Sequence, residues 1–142
     1  MRALLDVNVL IALLDADHAS HPHAMDWFVR HAGAGWASTP ITENGCVRIM
    51  SHPAYPNAQP LREVVERLHA ATVDPVHEFW PDSLSVTEER WFDASRIHGP
   101  RQLTDVYLLA LAVDRGGRLV TFDSGIALDA VNGAAARHLL VL

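Results

Sequence analysis

The opening stretch, Ala3-Leu4-Leu5-Asp6-Val7-Asn8-Val9-Leu10-Ile11-Ala12-Leu13-Leu14, constrains the fold more than any other part of the chain. A short apolar run reaches a carboxylate at Asp6, and apolar residues resume at helical spacing two residues later. That pattern predicts a buried strand ending on an acid, a tight turn, and a helix from near Asn8. A similar strand occurs late in the chain, where Leu119-Val120-Thr121-Phe122 stops at Asp123. Strands alternating with helices predict a parallel sheet covered on both faces. An acid at the carboxyl end of such a strand lies on the edge where open α/β sheets bind ligands. Capping is the competing use for Asp6 or Asn8, whose side-chain oxygens can accept from the orphan N–H groups of a helix.

The remaining elements follow from the same signals. Pro22 at the start of a pattern carrying Trp27, Phe28 and His31 predicts a second helix, closed by Gly33-Ala34-Gly35. Trp36 to Thr39 reads as a strand, and Ile41 to about Met50 as a helix opened by Pro40. Leu61, Val64, Val65, Leu68 and Ala71 mark a fourth helix. His77 to Trp80 reads as a strand, and Thr87 to about Ile97 as a helix with Trp91, Ala94 and Ile97 on one side. Thr104-Asp105 opens a helix, Val106 to about Asp114, that is apolar nearly all round and therefore buried. A short helix around Ile126 to Val131 leads to a last strand, His138 to Leu142. The expectation is one α/β domain over residues 1–142, with four or five parallel strands.

The chain has 142 residues, enough for one domain with a sizeable core. Its single cysteine, Cys46, excludes an intramolecular disulfide and a cysteine-rich zinc site, and fits a reducing cytoplasm. No signal peptide is visible, and no run approaches the roughly 20 apolar residues of a membrane helix. A formal charge of −6 argues against a generic nucleic-acid coat protein, though not against nucleic acid handled through bound cations and a local arginine patch. All eleven basic residues are arginine. Phosphoryl transfer through an aspartyl intermediate assisted by lysine is thereby set aside.

Four acids fall in awkward places. Asp6 and Asp123 each end an apolar strand, and Asp105 sits in the first turn of the most buried helix, just after a predicted Thr104 cap. At about 100° per residue, Glu43 falls between Met50 and Val47 on the apolar side of its helix, with Asn44 and Arg48 opposite. Each acid has a bland use: a dipole partner for Asp105, a turn for Asp123, an arginine's ion pair for Glu43. Together on one rim they would repel, unless a hard divalent cation compensates them. Oxygen-only donors favour Mg²⁺ or Mn²⁺ over Zn²⁺. Such ions lower the pKa of water and clamp a phosphodiester's attacking and leaving oxygens.

Four stretches, LLDVNVLIAL, TPITENGCVRIMSHP, RQLTDVYLLALAVDRGG and LVTFDSGI, give the chain its resemblance to PIN-domain ribonucleases, specifically the VapC-type toxins of bacterial toxin–antitoxin pairs. They stand in family order across nearly the whole chain. The resemblance implies a three-layer α/β/α PIN domain and metal-dependent RNA cleavage. It also implies that Asp6, Glu43, Asp105 and Asp123 are a catalytic, metal-binding quartet. Thr104, Thr121, Asn8 and Ser124 match polar positions at the site's edge, and Asn8 replaces the family's frequent threonine. Further implied are Mg²⁺ or Mn²⁺ as cofactor, a homodimer, and neutralisation by a small VapB-type antitoxin docked over the active-site groove. A PIN-like module that binds RNA or a partner without cutting it is the alternative.

Arg101 and Gln102 precede the Asp105 helix and are candidates for contacts to RNA phosphates, with a plain solvated loop as the other use. The histidines of His18-Ala19-Ser20-His21-Pro22-His23 fit a solvated helix entrance better than a zinc tract. Trp27, Trp36, Trp80 and Trp91 are expected in the core or at a dimer contact, and Cys46 as a buried thiol.

Overall fold

In a computed structural model describing residues 1–142, five strands form one all-parallel sheet. The strands are β1 (Ala3–Leu5), β2 (Trp36–Ser38), β3 (His77–Phe79), β4 (Arg118–Thr121) and β5 (Leu139–Val141), in the order β3-β2-β1-β4-β5. The helices are α1 (Val7–Leu14), α2 (His21–His31), α3 (Pro40–Met50), α4 (Leu61–Thr72) and α5 (Leu103–Asp114). No helix is long and apolar enough to cross a membrane.

Strand side chains alternate between two apolar cores because the strand period is two. Leu4, Ala37 and Leu119 point to one face, where they meet α5, Trp80, Phe92 and Val131. Ala3, Leu5, Trp36 and Val120 point to the other, against Val9 and Leu10 of α1, Cys46 and Met50 of α3, and Val64 of α4. Both faces are covered, so the central strands are buried throughout. This explains why β1 reads as a continuous apolar run rather than an alternating one.

Element ends differ from the sequence reading where side chains take over backbone hydrogen bonds. Thr39 is the N-cap of α3 and not a strand residue: its hydroxyl accepts from the Thr42 N–H, and its own N–H donates to the Thr42 hydroxyl. Asp82 adds a second cap by accepting from the Ile41 N–H at 3.1 Å. Thr104 caps nothing, because α5 already begins at Leu103 after a 3₁₀ turn over Pro100–Gln102.

The helix expected over Thr87–Ile97 does not form. Its backbone pairs with a distant segment instead: Asp93 N–H donates to the Ala130 carbonyl, Asn132 N–H to that of Trp91, and the Asn132 amide to Glu89. Ser85, Glu88 and Asp93 also bond to nearby backbone, which competes with helix formation. Only a 3₁₀ turn, Ala94–Arg96, remains. The short helix expected at Ile126–Val131 is likewise a single 3₁₀ turn, Leu128–Ala130. His138 closes another such turn before β5 begins at Leu139.

Gly117 lies where the loop from α5 enters β4. A Cβ there would come 2.6 Å from the Arg2 carbonyl oxygen and 2.9 Å from the Trp80 ring. The Arg2 carbonyl is held by the Arg118 N–H, so it cannot retreat. Gly117→Ala is therefore expected to destabilise the fold by about 2 kcal/mol, in the range of overpacked cores. Chemical denaturation should show a lower midpoint with an unchanged slope.

Candidate active site

The strand order reverses direction between β1 and β4: the chain moves outward to β2 and β3 on one side, and to β5 on the other. A crevice forms outside the carboxyl ends of strands at such a point. Asp6 follows β1 and Asp123 follows β4, so parallel pairing of the two strands brings both acids to this edge. Helix α5 returns the chain to the start of β4, which leaves its first turn, carrying Asp105, at the same edge.

Asp6 is only 5% exposed and is held by two donors. Its Oδ1 accepts from the Val7 N–H at 2.7 Å, and its Oδ2 from the Thr121 hydroxyl at 2.6 Å. The capping use and the site use are therefore compatible in one residue. Thr121 Oγ1 in turn accepts from the Asp123 N–H at 3.0 Å and from the Asn8 amide at 3.3 Å. The Asn8 carbonyl accepts from the Phe122 N–H. Thr121 and Asn8 thus stitch the start of α1 to the end of β4 and fix both flanking acids.

Burial pushes the Asp6 carboxyl above its ordinary pKa, partly offset by the two donors. Asp105 is pushed up to about 7, first by burial, then by the Asp6 charge and by a direct hydrogen-bonding contact with Asp123. Two carboxyl groups in contact need a shared proton or a cation between them. All the donors are oxygens. The side chains do not converge as a ready cage of three metal-binding groups. Mg²⁺, however, keeps several waters and needs only one or two direct carboxylates, so the donor set fits such an ion.

Glu43 stands apart from these three. It is half-buried, as its helical position requires, but turned toward β2 and β3. The buried Ser38 hydroxyl donates to its Oε1 at 2.6 Å and lies 2.8 Å from His77 Nε2. The expected quartet is thus a trio plus a separate Glu43–Ser38–His77 cluster. The reason is the rotation of α3. Gly45 faces α1, where a Cβ would come 2.9 Å from Val7 Cγ2, and two residues of helix turn Glu43 away from that contact.

The side of α3 that faces the acids carries Ile41, Asn44, Gly45 and Arg48. With Asp6, Val7, Ile49, Thr104 and Asp105 they line an open cavity of about 610 Å³. Sequence reasoning placed Asn44 and Arg48 opposite the acid and missed their role in the cavity. The overlooked signal was Gly45, because glycine inside a helix is unfavourable and often marks a close approach.

Other candidates lie outside the cavity. Arg101 is exposed on the 3₁₀ turn before α5, and Gln102 accepts from the His98 N–H. Ser124 is exposed beside Asp123. The three histidines diverge: His18 accepts from the Ser20 N–H, His21 contacts the Ala12 carbonyl, and His23 lies near the Phe122 ring. Trp36 and Trp80 are core residues, while Trp27 and Trp91 are half-buried at its margins. Cys46 is buried, and its thiol is pushed up to about 12 by that burial.

A family model described as the PIN domain matches residues 3–132. The chain belongs to the PIN-domain family. Within it, ribonuclease VapC44 of Mycobacterium tuberculosis is 51% identical over all 142 residues of both chains. Ribonuclease VapC39 of the same organism is 42% identical over 134 residues, covering 94% of this chain and 96% of its own. Two solved structures share the PIN fold at low identity. The VapBC2 complex of Rickettsia felis, bound to a promoter DNA fragment, gives a TM-score of 0.61 at 12% identity, covering 100% of this chain and 99% of the matched one. VapC20 of M. tuberculosis, a toxin that cleaves the sarcin–ricin loop, gives 0.58 at 14% identity, covering 87% and 91%.

The raised Asp105 pKa has a thermodynamic consequence for this PIN domain. A carboxyl that holds its proton more tightly when folded contributes most stability below its unfolded pKa of about 4. That contribution is lost as pH rises from there through about 7. Melting temperature in EDTA is therefore expected to fall across this window. In Asp105→Asn the fall should be much smaller, and the variant should melt higher than the parent at pH 8.

Proposed function

We propose that this PIN-domain protein is an endoribonuclease toxin of the VapC type, dependent on Mg²⁺ or Mn²⁺ and acting in the bacterial cytoplasm. The observation that carries this reading is the gathering of Asp6, Asp105 and Asp123 at the strand-order reversal, beside an open cavity. Full-length relatives named as ribonucleases support it.

Asp6 and Asp105 would hold the cation, with Asp123 at the edge of the site. When bound, the ion supplies charge neutralisation for the phosphodiester and lowers the pKa of a water. Thr121 and Asn8 keep Asp6 and the Asp123 backbone in place, so the carboxylates need not reorganise during the reaction. Among the side chains lining the cavity, Thr104 bears the one hydroxyl, and no cysteine, histidine or lysine is present. Water is proposed as the nucleophile, which would make the reaction a hydrolysis. Glu43 is proposed to act through Ser38 and His77 by fixing the edge of β2 and β3.

A VapB-type antitoxin is the proposed inhibitor, supported by the VapBC complex among the fold relatives. Exposed apolar side chains on α2 and α4, Val29, Leu61 and Val65, offer surface for that partner or for a second copy in a homodimer.

Cleavage of cellular RNA should be abolished by EDTA and restored by Mn²⁺. Asp6→Asn and Asp105→Asn should each lower the rate by about a hundredfold or more, the effect of losing a few kcal/mol of transition-state stabilisation. Glu43→Gln should cost less than either. Cleavage that survives EDTA, or survives both aspartate substitutions, would overturn the reading.

A further inference from the structure

Arg48 is an exposed arginine lining the same cavity as Asp6 and Asp105, yet it pairs with neither. Five arginines, at positions 2, 30, 62, 96 and 115, are ion-paired to acids; Arg48 is among the six that are not, with Arg67, Arg90, Arg101, Arg118 and Arg137, and of these six it alone lines the cavity. It is also the one basic side chain on the cavity wall. A protein of charge −6 that admits a polyanion to an acidic cavity needs a free cation at its entrance. An arginine serves this well, because its planar fork matches two phosphate oxygens at once.

Arg48 and Ile49 also line a second hollow, of about 340 Å³, that adjoins the acidic cavity. Its far wall is His52, Ala54, Tyr55 and Pro56, and its surface is largely apolar. That wall belongs to the loop after α3 but is anchored. The Tyr55 hydroxyl donates to the buried Asp15 at the end of α1, and the Asn57 amide donates to the same carboxylate at 3.1 Å. The aromatic ring is thereby held in place before anything binds. A largely apolar hollow beside an unpaired arginine suits a nucleobase next to its phosphate.

We propose that Arg48 and this second hollow form a substrate subsite for single-stranded RNA. Arg48 binds the phosphate next to the scissile one, and the hollow beside Tyr55 and Pro56 takes the neighbouring nucleoside. The inference rests on the ribonuclease reading and adds the direction in which the strand leaves the acidic cavity, along α3 toward the loop after it. It assigns to Arg48 the phosphate contact that the sequence suggested for Arg101.

The test measures RNA affinity apart from turnover, by fluorescence anisotropy of a labelled single-stranded RNA of mixed sequence in EDTA. Arg48→Ala is expected to weaken binding roughly tenfold, as loss of one charged hydrogen-bonded contact does. It should also flatten the dependence of log K on log salt by about 0.7, the value for one phosphate on a single strand. Arg48→Lys should keep the slope and recover only part of the affinity. Ala54→Phe, which fills the hollow at an exposed position, should weaken binding with no change in slope. Arg101→Ala should leave both unchanged. Wild-type affinity and slope in Arg48→Ala, or wild-type affinity in Ala54→Phe, would overturn the subsite, provided the variants melt as the parent does. So would an Arg48→Ala protein that binds RNA normally but no longer binds a VapB-type antitoxin. Failure of the ribonuclease reading shows separately, as wild-type cleavage in EDTA or none with Mn²⁺.

Discussion

The hydrogen bond from the Thr121 hydroxyl to Asp6 joins the fold to the candidate site. Parallel pairing of β1 with β4 places the two residues side by side at the end of the sheet. Thr121 then serves three neighbours at once, donating to Asp6 and accepting from the Asp123 N–H and the Asn8 amide. It is fully buried, so each of those bonds forms away from competing water. The same arrangement caps α1, ends β4 and orients the acids. Replacing the threonine by valine would keep the shape but leave Asp6 with one donor fewer, and a buried carboxylate short of a donor is expensive.

The acidic cluster opposes the stability that this bond network supplies. Asp105 is raised by burial and by two neighbouring carboxyls, so its charged form is a cost borne by the folded state. The surrounding structure tolerates that cost because α5 is buried over seven consecutive residues and anchors one whole face of the sheet. A cluster of buried like charges is commonly less stable than the scaffold holding it. Glu43 receives a hydrogen bond from Ser38 and stands away from the other acids. Asp6, Asp105 and Asp123 are the acids whose charges act on one another at the end of the sheet.

Helix α3 separates the two polar clusters. One side carries Glu43 toward Ser38 and His77, and the other carries Asn44, Gly45 and Arg48 toward the cavity. Gly45 lets α3 approach α1 closely enough to form the cavity wall without filling it. The loop beyond α3 is secured to α1 through Asp15, Tyr55 and Asn57, so the wall continues past the helix as a fixed surface.

Much of this architecture was legible in the amino-acid order. Apolar runs ending on Asp6 and Asp123, helical stripes and glycine or proline stops pointed to a parallel sheet of four or five strands, and five form, because these are local signals of period and termination. Burial of α5 was equally legible, since a helix apolar on every side has no face to give to water. The family-specific stretches carried the PIN assignment for the same reason: they are contiguous. Residues 87–97 misled because their hydrogen-bond partners lie about forty residues away, around Ala130 and Asn132, and no local pattern encodes a distant pairing. The grouping of acids was also beyond sequence. A helical wheel shows that Glu43 points inward, but inward toward which neighbour depends on how α3 is rotated against α1. Contact between Gly45 and Val7 decides that rotation, and with it which side chains face the cavity. The order of residues alone thus determined which elements form and which acids end them; only packing between helices decided which of those acids meet.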